Sequence, residues 1–548
     1  MQFNMNSAIF NGAFNVIDFF GGYLPFEYSG PRSEFMAGRE SAWLGLNLNF
    51  SPPFDVYGPD VTKLLNRVCV NRDFAMLPEG SSRHAIICNE EGKMLADGVV
   101  IRLGDNHFRT YFLAPVLQYF VMTSGLDVKG DYIPDEYFFQ IDGPKSLEIL
   151  EKACECDLHD LKFAHNKKVK VCGTDMTVHR LGMSGALAYE VHGAGKDAEV
   201  AYSRIRTVLE EFGGKPQGVR NYSVVNHTPG GYPNQMQHYL YPLFDGDPGL
   251  AAFAQQNSIR LPMRGSAADN EDNFYVTPYD VGWGYLANFD HDFMGKAALQ
   301  KIAENPPRKM VTLEWDTDDV GDVFMSQFRG PDVGFYEPIE DHSPNSDATD
   351  GFFVRGDYVL ADGKKIGVAT GRTYAFYERR MISLASIDAE YAQEGREAVV
   401  LWGSEGYPKK EIRATVARFP YYNGEFRNET FDVEKIPHPR FAAAKANESK
   451  MDGKYEVAVE FGGKKQDGSF VYVTDGDRLT GTATAMGSTS EVMDGRIDGN
   501  HFSHAMRMRT PMGAMKIKVD GKLDGDTITG TFKVMMMTMS FVGKRVKG

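Results

Sequence analysis

Cysteine is scarce in this chain: five thiols among 548 residues, at Cys69, Cys88, Cys154, Cys156 and Cys172. Only Cys154 and Cys156 lie close together, and no second pair or histidine cluster completes a zinc site, so neither a disulfide framework nor a structural metal is expected to organise the fold. Reduced thiols in a cytoplasmic protein are the expectation. No run of Lys and Arg occurs, and the formal net charge is −15; nucleic-acid binding, which draws on clustered cations, is disfavoured. No window reaches the ~18 apolar residues a membrane span needs, and the opening MQFNMNSAIFNGAFNVIDFF lacks the basic and apolar segments of a leader. A P-loop, an HExxH helix and a GxSxG elbow are missing as well.

What is present is ordinary globular material, 42% hydrophobic and 24% charged, too long for one core. Residues 20–420 mix short strands with amphipathic helices. GVVIRL (98–103), FFQIDG (138–143) and KVKVCG (168–173) read as strands. PDVTKLLNRV (59–68), KSLEILEKAC (145–154) and AEVAYSRIRTVLEEF (198–212) read as helices, the last stopped by Gly213-Gly214. Without regular βαβ alternation the class is α+β. Residues 1–422 form the main region, and the polar stretch 423–450, with Pro437 and Pro439, reads as a linker. From 451 to 548 roughly eight alternating runs at about ten-residue spacing predict a small all-β barrel or sandwich. The methionines of Met535-Met536-Met537-Thr538-Met539 are expected in its core.

One stretch stands out chemically: Gly182 and Gly185, followed by Tyr189-Glu190. Glycines let backbone approach a flat ligand, and a strand-borne carboxylate follows. A plain glycine turn would look the same.

The surrounding HRLGMSGALAYEVHG (179–193) resembles the aminomethyltransferase family's RTGYTGEDGYEI strand. FQIDGPKSLEIL (139–150), TPYDVGWGYLANFDHDFMGKAAL (277–299) and IGVATGRTYAFYERRMISLASID (366–388) resemble further segments of that family, in the same order. VTPYDVGWG, FDHDFMGKAAL and the Arg220-Asn221-Tyr222 segment are most similar to its tetrahydrofolate-dependent vanillate and syringate O-demethylases. The resemblance implies three subdomains in a cloverleaf around a central folate channel, and it leaves 451–548 without an assigned role.

It also implies residue roles. Glu190 falls on the glutamate that reads the pterin edge, and a carboxylate suits paired N–H donors. Tyr222 falls on the demethylases' tyrosine. A phenol of pKa ~10 is matched to the aryl oxygen that leaves when methyl passes to N5 of tetrahydrofolate. Arg220 would orient that tyrosine or stabilise the developing anion. Asp97 falls where amine-processing members carry an essential aspartate, here beside Ala96, and would position folate. Tyr232 falls near a folate-stacking aromatic. Arg372 is expected either to meet the acidic tail of folate or to lie on the surface. Where vanillate-type enzymes hold the substrate carboxylate with arginine, this chain has Leu113, and a histidine expected in the first subdomain is replaced in the stretch ending at Phe50. With Tyr23, these residues are expected to face the donor. An apolar lining cannot compensate a buried carboxylate, so the expected substrate is a small, neutral aryl methyl ether. Alternatives are a methylated amine, a sulfonium, a methylenedioxy compound, or a folate-binding protein without catalysis. No metal is expected: His227 and His238, the nearest approach to a ligand pair, lack metal-motif spacing. Whether the chain forms a homo-oligomer is left open.

Overall fold

The computed structural model describes residues 5–546 except 6, 20–21, 47–51, 340–345, 348–350, 423–426, 440–450, 462–463, 476–477, 486–487, 511–512 and 535–536. Phe50, Met535 and Met536 therefore lie outside the described residues. The chain divides into two units, Met1–Pro439 and Arg440–Gly548.

The first unit holds three larger sheets. One has six strands, in the order Asn166–Val171, Thr174–His179, Ala188–Ala194, Glu136–Asp142, Trp43–Leu46 and Lys215–Gln217. The chain leaves this sheet after Leu46 to build a five-stranded sheet from Phe54–Tyr57, Ser82–Cys88, Met94–Gly104, His107–Tyr111 and Lys129–Tyr132, then returns at Glu136. The third sheet has seven strands between Met263 and Ala417; Val354–Ala361 pairs with both Lys364–Ala375 and Glu397–Trp402, which closes six of them into a barrel. Each sheet has its own apolar cluster. The α+β class and three subdomains expected from sequence are the ones observed.

Strand alternation explains how the six-stranded sheet presents a site. Tyr137, Phe139 and Ile141 point into the core with Tyr189 and Val191 of the neighbouring strand. They meet helix Ala198–Glu211, whose buried residues Ala198, Ala201, Tyr202, Ile205, Val208 and Leu209 repeat at three- and four-residue spacing. Burying one such large side chain stabilises the fold by about 1.5–3 kcal/mol. The intervening residues Glu136, Gln140, Asp142, Glu190 and His192 therefore project from the opposite face.

Part of the expected linker is something else. Arg180, buried, donates to the carbonyl oxygens of Asn428 and Phe431 at 3.0 and 2.9 Å. Val433 and Ile436 join the core under the six-stranded sheet. Residues 427–439 thus form a strap on the first unit, because these apolar side chains and a buried guanidinium tie down a stretch that looked polar and aperiodic.

In the second unit nine described strands, from Gly453–Phe461 to Met537–Arg545, close on themselves: Lys464–Asp475 pairs with Gly453–Phe461 on one side and Arg478–Ala485 on the other. The result is a barrel and not a sandwich. Its core is aromatic, with Tyr455, Phe470, Tyr472, Phe502, Phe532 and Phe541, and the Tyr472 hydroxyl lies 2.8 Å from His504 Nε2. Met539 packs against this core, whereas Met537 is exposed, which corrects the expectation for that residue.

Candidate active site

Register puts a polar row across the six-stranded sheet: His179 opposes Glu190, Glu190 opposes Gln140, and Gln140 opposes Gly45. Gly45 leaves the space that Tyr222 fills, since a Cβ there would come within 3.3 Å of the tyrosine ring. Tyr222 belongs to a π-helical turn, Asn221–Val225, the kind of helix irregularity that recurs at functional sites. Its hydroxyl donates to Gln140 Oε1 at 2.9 Å, and its ring meets Trp43 edge-on at 6.0 Å. Gln140 Nε2 in turn donates to both oxygens of Asp142, each at 3.0 Å.

Burial, then the charges of Glu190 and Asp142, push the Tyr222 hydroxyl well above its ordinary value. It holds its proton at any physiological pH. Burial also raises the Asp142 carboxyl to about 8, against the hydrogen bonds of Ser184 and Gln140. Glu190 behaves differently. Burial pushes it up, but His179 and His192 outweigh burial and hold it below the usual carboxylate range. Both imidazoles approach Oε2, at 3.5 and 3.6 Å, and among the described residues no hydrogen bond reaches Oε1. An ionised carboxylate with one oxygen still to be satisfied fits the N–H edge of a pterin.

Asp97 is held on the five-stranded sheet. Its Oδ2 lies 2.9 Å from His84 Nε2, and its Oδ1 accepts from Tyr239 and, at 2.5 Å, from Tyr241. Tyr232 joins this group to the first: its ring lies 5.6 Å from His84 and 6.0 Å from His227, and His227 lies 6.4 Å from Tyr222. Four residues singled out from sequence, Glu190, Tyr222, Tyr232 and Asp97, are thereby parts of one aromatic and acidic cluster built from two sheets.

The others stand elsewhere. Arg220 pairs with Glu27 at 2.7 Å and lies over Phe26. Arg372 is buried in the third sheet beside Trp402 and Met381, so the surface alternative for it is overturned. Leu113 is wholly buried in the core under the five-stranded sheet, and Tyr23 is 51% exposed on the hairpin strand Gly22–Glu27.

The glycines also have a different use from the one expected. A Cβ on Gly182 would meet Ala188 Cβ at 2.2 Å and Gln140 Nε2 at 3.0 Å, and Gly185 sits at φ +76° against Gly230. They let the chain pack on itself around Gln140 and Asp142. Neither of those two residues, nor Glu136, was picked out from sequence, and His179 and His192 stood out only as histidines near the family segments. The signal was there in the polar residues alternating with aromatics in EYFFQID and YEVHG.

Among the described residues two groups bring three side chains of metal-ligating type together, His179–Glu190–His192 and Asp157–His159–His438. In each, one imidazole faces acceptors through both nitrogens. His192 lies between Glu136 and Glu190, and His159 between Glu151 and the Ile436 carbonyl. The carboxylates beside them, with the Ile436 carbonyl for His159, raise both imidazoles above their ordinary value against burial, and a ring while protonated has no lone pair to give a metal.

Residues 11–226 match the family model described as the GCVT N-terminal domain. Over 445 residues the chain is 45% identical to a sesamin methylene transferase of a Sinomonas species, covering 79% of this chain and 97% of that one. It is 29% identical over 428 residues to a syringate O-demethylase of a Sphingobium species, covering 73% and 90%. Among solved structures, the glycine cleavage system aminomethyltransferase T from Bartonella henselae shares the fold at a TM-score of 0.56 and 17% identity, over 76% of this chain and 96% of that one. No described helix is long and apolar enough to cross a membrane.

Proposed function

The chain belongs to the GCVT aminomethyltransferase family of tetrahydrofolate-dependent one-carbon transferases, and we propose that its donor is a neutral aromatic ether whose carbon leaves an aryl oxygen. Bound tetrahydrofolate supplies the nucleophilic nitrogen, one for a methyl group and two for a methylene bridge, with a phenol or a catechol released. The methylenedioxy donor, an alternative from sequence, takes first place because the relative named for methylene transfer is the more similar of the two oxygen-ether relatives. An aryl methyl ether is the second reading.

The observation that carries the proposal is the pairing of Tyr222 with Glu190. Glu190 offers an ionised oxygen to the N–H donors of the cofactor's ring. Tyr222 keeps its proton and rests it on Gln140. Held well above the ordinary phenol value, it is a weaker acid than the pKa match expected from sequence, and it would hand its proton over as negative charge develops on the departing aryl oxygen. Asp97, saturated by His84, Tyr239 and Tyr241, and Tyr232 beside it shape the other wall. Arg220 serves at one remove, tying the π-helical turn to the hairpin strand through Glu27. Neutrality of the donor is supported by the charges that reach Tyr222, both from acids; Leu113, wholly buried in the core under the five-stranded sheet, does not face the donor as the sequence led one to expect. The five free cysteines are compatible with a reducing, cytoplasmic setting.

The test is mass spectrometry of folate and donor products after incubation with tetrahydrofolate. The panel pairs neutral methylenedioxy and methoxy arenes with their carboxylated analogues. Catechol together with methylenetetrahydrofolate from a neutral methylenedioxy arene is the expected result. 5-Methyltetrahydrofolate from methoxyarenes alone would make the second reading the correct one. Faster turnover of the carboxylated donors would overturn the neutral-substrate assignment.

A further inference from the structure

Behind Glu190 the two sheets are joined by a file of buried charges. Asp55 takes the Arg109 fork, Nε to Oδ1 at 2.7 Å and Nη2 to Oδ2 at 3.0 Å. Arg109 Nη1 also donates to Glu136. Glu136 Oε1 lies 3.1 Å from His192 Nδ1, and His192 Nε2 faces Glu190 Oε2 at 3.6 Å. The signs alternate along the file: Asp55 negative, Arg109 positive, Glu136 negative, His192 positive, Glu190 negative. Asp55 and Arg109 come from the five-stranded sheet, the other three from the six-stranded one.

We propose that His192 is a positioning residue for cofactor binding: clamped by Glu136, its imidazolium fixes the charge and orientation of the Glu190 carboxylate. This rests on the folate reading of Glu190. His179 stands as near, Nδ1 to Glu190 Oε2 at 3.5 Å, but no acid clamps its other nitrogen, which meets Ser82 Oγ at 2.8 Å, and burial keeps the ring neutral. His192 is raised to about 9, burial opposing and Glu136 and Glu190 prevailing. The groups facing Glu190 are His179, His192, Asp142, Tyr111, Tyr222 and Tyr232; those facing His192 are Glu136, Glu190, Tyr111 and His179. Of these only His192 is a cation, so its removal leaves Glu190 among acids and neutral rings, and the carboxyl takes up a proton at higher pH.

Binding of 5-formyltetrahydrofolate, whose N5 does not titrate, would be followed by tryptophan fluorescence from pH 5 to 9. Wild type is compared with His192→Gln, Glu136→Gln and Glu190→Gln, each checked for folded circular dichroism. Wild type should hold its affinity toward pH 5. His192→Gln should bind within a few-fold of wild type at pH 8 and lose tenfold or more by pH 6, and Glu136→Gln should move the same way by less. A weakening equal at every pH, with no shift of the acid limb in either clamp variant, would overturn the proposal. Wild-type affinity in Glu190→Gln would instead overturn the folate reading beneath it.

Discussion

Replacing Tyr222 with Phe removes one oxygen and leaves the ring against Trp43 and Met183. Two costs follow, and they differ in size. Gln140 Oε1 loses its donor inside a buried site, a loss of about 1–3 kcal/mol in stability. Over a domain this large that lowers the melting midpoint by only a few degrees. The chemical cost is greater if the hydroxyl protonates the leaving oxygen: general acids contribute ~10²–10⁴-fold, equivalent to about 3–5 kcal/mol of barrier. The assay is single-turnover formation of methylated or methylene folate from a series of aryl ethers whose phenols span several pKa values. Wild type should depend weakly on phenol acidity and Tyr222→Phe steeply, so that the defect shrinks for nitro-substituted leaving groups. Cofactor binding should be unchanged. An equal rate loss across the series, or near wild-type rates throughout, would refute the reasoning and return Tyr222 to a packing role.

Gly182→Ala should distort the Gln140–Asp142 pair, because the new Cβ would meet Ala188 at 2.2 Å and Gln140 at 3.0 Å. Overpacking of this kind costs roughly 1–3 kcal/mol, and thermal melts together with kcat should both fall; an unshifted melt would show that the hairpin yields freely. A pH effect is expected at the strap. Burial opposes protonation of His159, yet the Ile436 carbonyl and Glu151 raise it above the ordinary imidazole value. Its stabilising effect is therefore complete below about pH 6.5, the unfolded value, and is lost as pH rises through the folded one. Limited proteolysis should show release of residues 427–439 increasing with pH in wild type and pH-independent in His159→Gln. Identical pH profiles for the two proteins would remove His159 from this part.

Much of the fold was legible because its signals are local. The period of Ala198–Glu211, the alternation in Glu136–Asp142 and the spaced Asp-Gly turns after Met451 each report which side chains must leave water, and that is decided within ten or fifteen residues. The strap at 427–439 was not legible, because its stability comes from Arg180 and the core near Val433, far away in sequence. The same division runs through the site. Glu190 and Tyr222 stand in recognisable local motifs, so their chemistry was open to reading by residue type. Arg372 could not be placed that way, since burial in a closed sheet is a property of neighbours it does not carry in its own segment.

By itself the sequence determined the residue types, their periodicity and the membership of a family. Only the tertiary structure decided that the Tyr222 hydroxyl donates to Gln140, that Glu190 stands between two histidines of different surroundings, His192 beside Glu136 and His179 beside Ser82, and that Asp97 joins the cluster through Tyr232. The physical reason is that hydrogen-bond choice and protonation depend on desolvation and on partners brought within about 4 Å. Cross-strand register and chain return set those distances, and no stretch of sequence contains them.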